Sequence, residues 1–439
     1  MYNEGDMSAW NLGGPPNPQG AGFPGGGFPP PAAPPQQPGG FPMGGPFPGG
    51  GYQGDPYQQN MYGGPQGGMY GGYPGGNPCQ QGPSGGYSGG GPYQPGQQVG
   101  YYGGPMGQPG GPVGANTGSG CEDVYAPTLR PYPGFNARQD CERLRKAMKG
   151  LGTDEDAIID VMTHRTADQR AEIVLQYKTM YGKSLIDHLH SEIHGHFFQC
   201  VEALCHSLPD LDAIQLRKAM EGAGTDEDAL IEILASRTKD QIAKCKEAYT
   251  RIYKSRNLEA DIKSETHRHF ERALVALLQN NRDQSTNVNP ADARRDAEQL
   301  YQAGEKKLGT DEATFNSILC SRSFAHLREV FKQYEILTHH EFERAIKHET
   351  SGDLSDVFMA IVAVARNKPK YFADLLKKSM KGAGTRDTTL IRIIVSRCEI
   401  DLQRIKEEFQ KANGKSLEAW ISDDTSRDYK KCLLSLVKG

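Results

Sequence analysis

An all-α array of repeated helical units is the fold class this sequence predicts, and three observations predict it. One loop is written four times: as Met148–Lys149–Gly150–Leu151–Gly152–Thr153–Asp154–Glu155, as Met220 to Glu227, as Gly304 to Glu312, and as Met380 to Asp387. From Thr153 to Thr225, Thr310 and Thr385 the steps are 72, 85 and 75 residues, a period that marks an internal array. Apolar residues at helical spacing follow each copy. Composition also changes abruptly near Arg130, which confines the array to the later part of the 439-residue chain.

Before that change lies a segment with no Lys or Arg, dominated by Gly, Pro, Gln and Tyr. Its few aliphatic side chains cannot offset the entropy of ordering its backbone, so residues 1–135 are expected to be a disordered tail. Gly and Pro recur without the three-residue period of collagen. Beyond the tail, the expected units are 136–207, 208–280, 292–366 and 367–439, with a polar, Asn-rich linker at 281–291. About 300 residues can bury a large core when it is distributed over repeats.

The first unit reads as five short helices. Leu144, Ala147 and Met148 form an i, i+3, i+4 stripe that Gly150 ends. Thr153 is expected to cap the second helix, with Asp154, Glu155 and Asp156 in its positive first turn. That helix carries Ile158, Ile159, Val161 and Met162. Thr166 caps a third helix through Ile173, Val174 and Tyr177, and Ser184 opens a fourth. The fifth runs through Phe197, Val201 and Leu204. Downstream units repeat the pattern, and an Arg follows each second helix: Arg165, Arg237, Arg322 and Arg397. Such an Arg either hydrogen-bonds carbonyls left free at the helix end or contacts a ligand, and the structural role is expected.

The loops themselves point to calcium. Gly-x-Gly-Thr allows backbone angles closed to other residues, so consecutive carbonyls can face one centre. Three peptide oxygens carry no full charge, whereas calcium takes six to eight oxygens at roughly 2.3–2.6 Å, carboxylates among them. An acid must therefore arrive from elsewhere in the unit. Forty residues lead from Gly152 to Glu192, from Gly309 to Glu349 and from Gly384 to Asp424. From Gly224 the count is 41, to Glu265, because the segment Tyr253–Leu258 is one residue longer than Tyr181–Leu185. Such a site leaves coordination positions open to water or a lipid phosphate, so that an acidic protein could join an acidic membrane through the ion. The alternative is a plain interhelical turn ending in a cap, which the regular downstream acids disfavour. A phosphate loop lacks its strand and its Lys-Ser/Thr ending, and no twelve-residue EF-hand loop occurs.

Four Gly-x-Gly-Thr loops with remote acids, the recurrent Ser/His-Arg and the longer third loop together resemble the annexin family over about residues 136–439. The resemblance implies a curved disc of four five-helix repeats with calcium loops on its convex face. By similarity the ligands are the carbonyls of Met148, Gly150 and Gly152 with Glu192; of Met220, Gly222 and Gly224 with Glu265; of Gly304, Lys307 and Gly309 with Glu349; and of Met380, Gly382 and Gly384 with Asp424. Glu221 departs from the usual loop Lys, which should weaken phospholipid approach in the second repeat. Leu308 stands where some members carry a membrane-inserting Trp. Asp212, Glu232 and Arg237 fall on positions lining a polar passage in the family, with Gln215 replacing an acid; a solvated, salt-bridged seam is the expected reading.

Calcium-dependent binding to acidic phospholipids such as phosphatidylserine is the implied function, with membrane bridging, aggregation or trafficking as its use. The tail resembles that of the long-tailed annexins, which implies small EF-hand partners and self-association; its alternative is an inert tether. A cytoplasmic protein reversibly peripheral to membranes is implied, with room for a nuclear pool. Nine scattered Cys fit reduced core thiols rather than a disulfide framework. The first residues carry neither a basic region nor an apolar run, and no secretory signal is expected. Rival classes find little purchase. His188, His190, His194 and His196 with Cys200 suggest zinc only if one helix continues through them. No ordered nucleophile, base and orienting acid can be named, so no enzyme is expected. The tail lacks the Arg and Lys of a nucleic-acid binder, and the formal net charge is −4.

Overall fold

The computed structural model describes residues 125–382 and 384–439, and in them every regular element is a helix. The first repeat comprises α1 (Ala137–Ala147), α2 (Glu155–Thr163), α3 (Ala167–Tyr181), α4 (Leu185–Glu192) and α5 (Gly195–Leu204). The second follows as α6 (Leu208–Ala219), α7 (Glu227–Ser236), α8 (Lys239–Ile252), α9 (Leu258–Glu265) and α10 (Arg268–Gln279). Then come α11 (Pro290–Ala303), α12 (Glu312–Ser321), α13 (Phe324–Thr338), α14 (Phe342–Glu349) and α15 (Gly352–Ser379). The chain closes with α16 (Asp387–Arg397), α17 (Leu402–Asn413), α18 (Leu417–Asp424) and α19 (Arg427–Lys438). α15 is two helices joined at Asn367, whose φ of −160° and ψ of 95° break the helical path. The Asn367 side chain accepts from Lys370 N–H and caps the second piece, with Pro369 in its first turn. Five helices thus recur four times.

Capping follows the sequence closely. Thr166 and Gln169 form a capping box at α3, repeated by Thr238 and Gln241 at α8, and Ser184 caps α4. The second helix is different: Asp154, not Thr153, accepts from the Ala157 N–H, and Asp226 and Asp311 do the same downstream. The threonine hydroxyl is thereby left for another partner.

The buried face of every helix joins one hydrophobic core. α10 packs on α12 and joins repeats two and three, while α7 packs on α15. α19 packs on α2 and on α5, so the last repeat lies against the first. Burial pushes the thiols of Cys141, Cys205, Cys320 and Cys398 up to about 12. All seven described cysteines are free and buried, with Cys200 and Cys432 in contact at 3.4 Å across the seam of repeats one and four.

Two expectations are refined. The structural role of the four Arg is played mainly through carboxylates: Arg165 gives one hydrogen bond to the helix-end carbonyl of His164 at 3.3 Å, but three of the four clamp an Asp on the first helix of their own repeat. Arg165 takes Asp140 at 2.7 and 2.8 Å, Arg237 takes Asp212 at 2.8 Å twice, and Arg322 takes Asp296 at 2.7 and 3.0 Å. In the fourth repeat Phe372 stands in place of that Asp, so Arg397 lies over its ring and pairs instead with Asp401 at 2.7 Å. The seam is salt-bridged, and its ion pairs are buried away from bulk solvent. Arg392 meets Glu232 at 2.6 Å with both side chains only 1% exposed, and the Arg237–Asp212 pair is as deeply buried.

Ordered packing also begins before residue 136, inside the stretch expected to be tail. Ala126 N–H donates to the Ile400 carbonyl at 2.7 Å and Thr128 N–H to that of Cys398 at 2.9 Å. The Thr128 hydroxyl donates to the Leu436 carbonyl at 2.7 Å, and Leu129 is buried. Farther on, Tyr132 and Gln169 exchange two hydrogen bonds, and the Arg165 guanidinium covers the Tyr132 ring. Residues 125–135 therefore strap the fourth repeat to the first. The rest of the expected tail, 1–124, lies outside the described residues. The linker runs from Asn280, in the left-handed region, to the α11 cap Asn289, so α11 starts slightly earlier than expected. Arg282 holds the linker by donating to the Arg322 carbonyl and covering Phe324.

Candidate calcium loops

The first, second and fourth loops leave their first helix through backbone that favours glycine. Gly150 and Gly152 have φ of 118° and 84°, Gly222 and Gly224 of 103° and 100°, and Gly382 and Gly384 of 119° and 92°. A backbone hydrogen bond closes every loop: Asp154 N–H donates to Ala147, Asp226 to Ala219, Asp311 to Ala303 and Arg386 to Ser379, at 2.8–2.9 Å. That bond spans eight residues in the third loop and seven in the others. The chain between is folded outwards with its carbonyls unspent. None of the carbonyls of Met148, Gly150, Gly152, Met220, Gly222, Gly224, Lys307 and Gly309 accepts a hydrogen bond from a described residue. The Gly304 carbonyl accepts one, from Lys307 N–H at 2.8 Å.

The four remote acids occupy one structural position. Glu192, Glu265, Glu349 and Asp424 are each the last residue of an eight-residue helix, α4, α9, α14 and α18. The extra residue before α9 is absorbed in the turn after α8, which restores the register of Glu265. Ser191 Oγ lies 3.4 Å from Glu192 and Ser264 Oγ 3.4 Å from Glu265, a matching detail.

In the second, third and fourth repeats the loop threonine, freed from capping, connects loop to acid. Thr310 Oγ1 donates to the Glu349 carboxylate and lies equally close to the Glu349 carbonyl, both at 2.8 Å. Thr385 Oγ1 donates to the Asp424 carboxylate at 2.5 Å. Thr225 reaches only the Glu265 carbonyl, at 3.3 Å, and the Glu265 side chain is exposed where the other three acids are half-buried. Gly304 explains its own identity: a Cβ there would stand 3.1 Å from Glu349 Cγ and 3.1 Å from Phe315 Cζ. The acid thus lies directly against the loop backbone.

One carboxylate with several peptide oxygens is the hard, partly neutral donor set that suits calcium better than zinc. Among the described residues no group of three or more His, Cys, Asp or Glu could hold a metal. The histidines go elsewhere. His188 is buried, 2.5 Å from the Tyr177 hydroxyl, and burial holds its pKa below the ordinary value. His190 packs on Phe198 and His196 faces Asp387 at 3.4 Å.

Two loop features were missed or misjudged in sequence. Leu151 is as fully exposed as Leu308, so two loops, not one, present an isolated apolar tip. Glu221 has a partner that the sequence did not reveal, Arg217 at 3.3 Å. The backbone also turns through the left-handed region three residues beyond every acid, at Gly195, Arg268, Gly352 and Arg427. Two of those positions carry no glycine, so no compositional signal marks them.

An annexin family profile matches residues 139–204, 211–277, 295–361 and 371–436. Annexin A4 of Bos taurus is 50% identical over 312 residues, which cover 71% of this chain and 98% of that protein. Annexin A11 of Homo sapiens is 49% identical over 312 residues, again 71% of this chain but 62% of that relative's length. The solved structure of annexin III superposes with a TM-score of 0.71 at 43% identity, covering 74% of this chain and 99% of that one. The chain belongs to the annexin family, whose members are non-catalytic and generically bind calcium and phospholipid membranes.

Proposed function

We propose that this annexin binds acidic phospholipid surfaces, phosphatidylserine among them, through calcium held at its four loops. The observation that carries the reading is that all four remote acids end an equivalent eight-residue helix, with contact to the loop clearest where Thr310 donates to Glu349 and Glu349 lies against Gly304. Met148, Gly150, Gly152 and Glu192 would hold the first ion; Met220, Gly222, Gly224 and Glu265 the second. Gly304, Lys307, Gly309 and Glu349 would hold the third, and Met380, Gly382, Gly384 and Asp424 the fourth. When bound, the ion supplies the positive charge that lets an acidic protein meet an anionic headgroup.

The chain's own residues do the rest. The glycines turn carbonyls outwards, Thr310 and Thr385 fix the acids of the third and fourth loops, and Leu151 and Leu308 offer apolar side chains to the interface. Among the described residues no helix is long and apolar enough to cross a membrane, so attachment rests on such contacts. Annexins are typically cytoplasmic or peripheral membrane proteins, and a nuclear pool, EF-hand partners and self-association through residues 1–124 are the finer parts of the proposal.

Cosedimentation with phosphatidylserine vesicles across a calcium titration tests it. Binding should appear with calcium and reverse with a chelator. Glu192→Gln combined with Asp424→Asn should raise the calcium midpoint more than either change alone, at an unchanged helical spectrum. A tenfold loss at one site corresponds to about 1.4 kcal/mol, part of which avidity hides. Vesicle binding indifferent to chelator would overturn the reading.

A further inference from the structure

The fourth loop departs from the other three at one residue. Asp154, Asp226 and Asp311 cap the helix that follows their loops, whereas Arg386 stands at that position and makes no side-chain cap. Its guanidinium reaches out of the repeat instead. Arg386 Nη1 lies 2.7 Å from Asp228 Oδ2, and Lys378 Nζ lies 3.0 and 3.1 Å from the two oxygens of the same carboxylate. Burial works against ionisation of Asp228, yet hydrogen bonds and charge from Lys378 and Arg386 outweigh it and keep its pKa below the ordinary value.

What these residues join is specific. Asp228 sits in the first turn of α7, four residues after Gly224 and two after the cap Asp226 that closes the second loop. Arg386 is two residues after Gly384, and its own N–H closes the fourth loop on Ser379. Both loops border one open cleft of about 730 Å³, lined by Thr225 and Asp228 on one side and by Thr385 and Arg386 on the other. The matching acid of the first repeat, Asp156, pairs with Lys431 within helix α19 and touches no loop.

We infer that the Asp228–Arg386–Lys378 cluster couples the second and fourth calcium sites, so that an ion held by one loop tightens the other. The inference rests on the calcium reading of the loops. An ion in the second loop fixes the first turn of α7 and with it Asp228, which then restrains Arg386 and the closure of the fourth loop. Ordering already present at one site need not be supplied again at the other, and by linkage the effect is equal in both directions. The pairs are about half exposed, so the coupling is small, roughly two- to fivefold in affinity. Arg386 is a positioning residue and touches no ion.

Trp420 provides the readout. It precedes Asp424 by four residues on α18, hence on the same face, and Trp10 is the only other tryptophan in the chain. In the full-length chain carrying Trp10→Phe, terbium can stand in for calcium, and emission sensitised by Trp420 follows the fourth site. Asp424→Asn should abolish that emission. Glu265→Gln should raise the terbium midpoint of the fourth site about two- to fivefold. In an Asp228→Asn background the same Glu265→Gln change should leave the midpoint where it was. Arg386→Asp, which restores the cap of the other loops while opposing Asp228, should also uncouple the sites, and Arg386→Lys should retain part of the effect. A midpoint insensitive to Glu265→Gln, or one shifted equally with and without Asp228, overturns the coupling alone. Emission that survives Asp424→Asn overturns the calcium reading of this site, and the coupling with it.

Discussion

The two ends of each of the first three repeats are built on opposite principles. At the clamp end an Arg after the second helix closes on an Asp of the first, both largely out of water in the first two repeats. At the loop end the backbone is exposed, its carbonyls are unspent and its apolar tips point away from the core. The clamp fixes how the first two helices cross, and the loop is carried between helices so fixed. Stability and binding are therefore written in different residues of the same unit, and substitutions should separate them.

The largest effect is expected at the clamp. Asp212→Ala leaves Arg237 buried without its carboxylate, which should cost roughly 3–5 kcal/mol of folding free energy in a chemical denaturation curve. The calcium dependence of whatever folded protein remains should be nearly normal. A loss under about 1 kcal/mol would erase the distinction between the two ends.

Replacing both Leu151 and Leu308 by Ala should do the reverse. Partial burial of a leucine in the headgroup region contributes about 1–2 kcal/mol, so vesicle affinity at saturating calcium should fall about tenfold or more while the denaturation midpoint stays. Thr310→Val is subtler. It keeps the shape of the side chain but removes the hydrogen bond to Glu349, and should weaken calcium at the third loop by roughly 1 kcal/mol, measured by calorimetry.

The smallest effect falls at the turn between the ends. Arg268 and Arg427 have φ of 57° and 53° where repeats one and three carry Gly195 and Gly352. Arg268→Gly should stabilise the fold by about 0.5 kcal/mol, the relief of strain being partly offset by the greater freedom of glycine when unfolded.

Much of this was legible in the chain, for identifiable reasons. Repetition exposed the loops, and a constant interval exposed Glu192, Glu349 and Asp424, because the stretch from loop to acid keeps one total length although its helices differ in length from repeat to repeat. Caps at Thr166 and Ser184 were readable because they are local. The clamps were within reach and overlooked: Asp140, Asp212 and Asp296 precede Arg165, Arg237 and Arg322 by 25, 25 and 26 residues. Recognising the pair required knowing that the first helix returns beside the end of the second. The threonine was misread as a cap since Thr and Asp are both good caps in sequence, and only geometry decides between neighbours. The strap at 125–135, although it holds the first basic residue, Arg130, carries no helical stripe to mark it as ordered, and its hold depends largely on backbone hydrogen bonds to Cys398 and Ile400.

The packing of α19 on α2 and α5 has a consequence for growth. Stacked helical repeats ordinarily leave a sticky apolar face at each end and need special terminal units to hide it. Here the fourth unit hides the face of the first, and the strap seals that joint from outside. A fifth copy could enter only by prising α19 from α2 and α5, so closure, rather than any capping sequence, fixes the number of repeats at four.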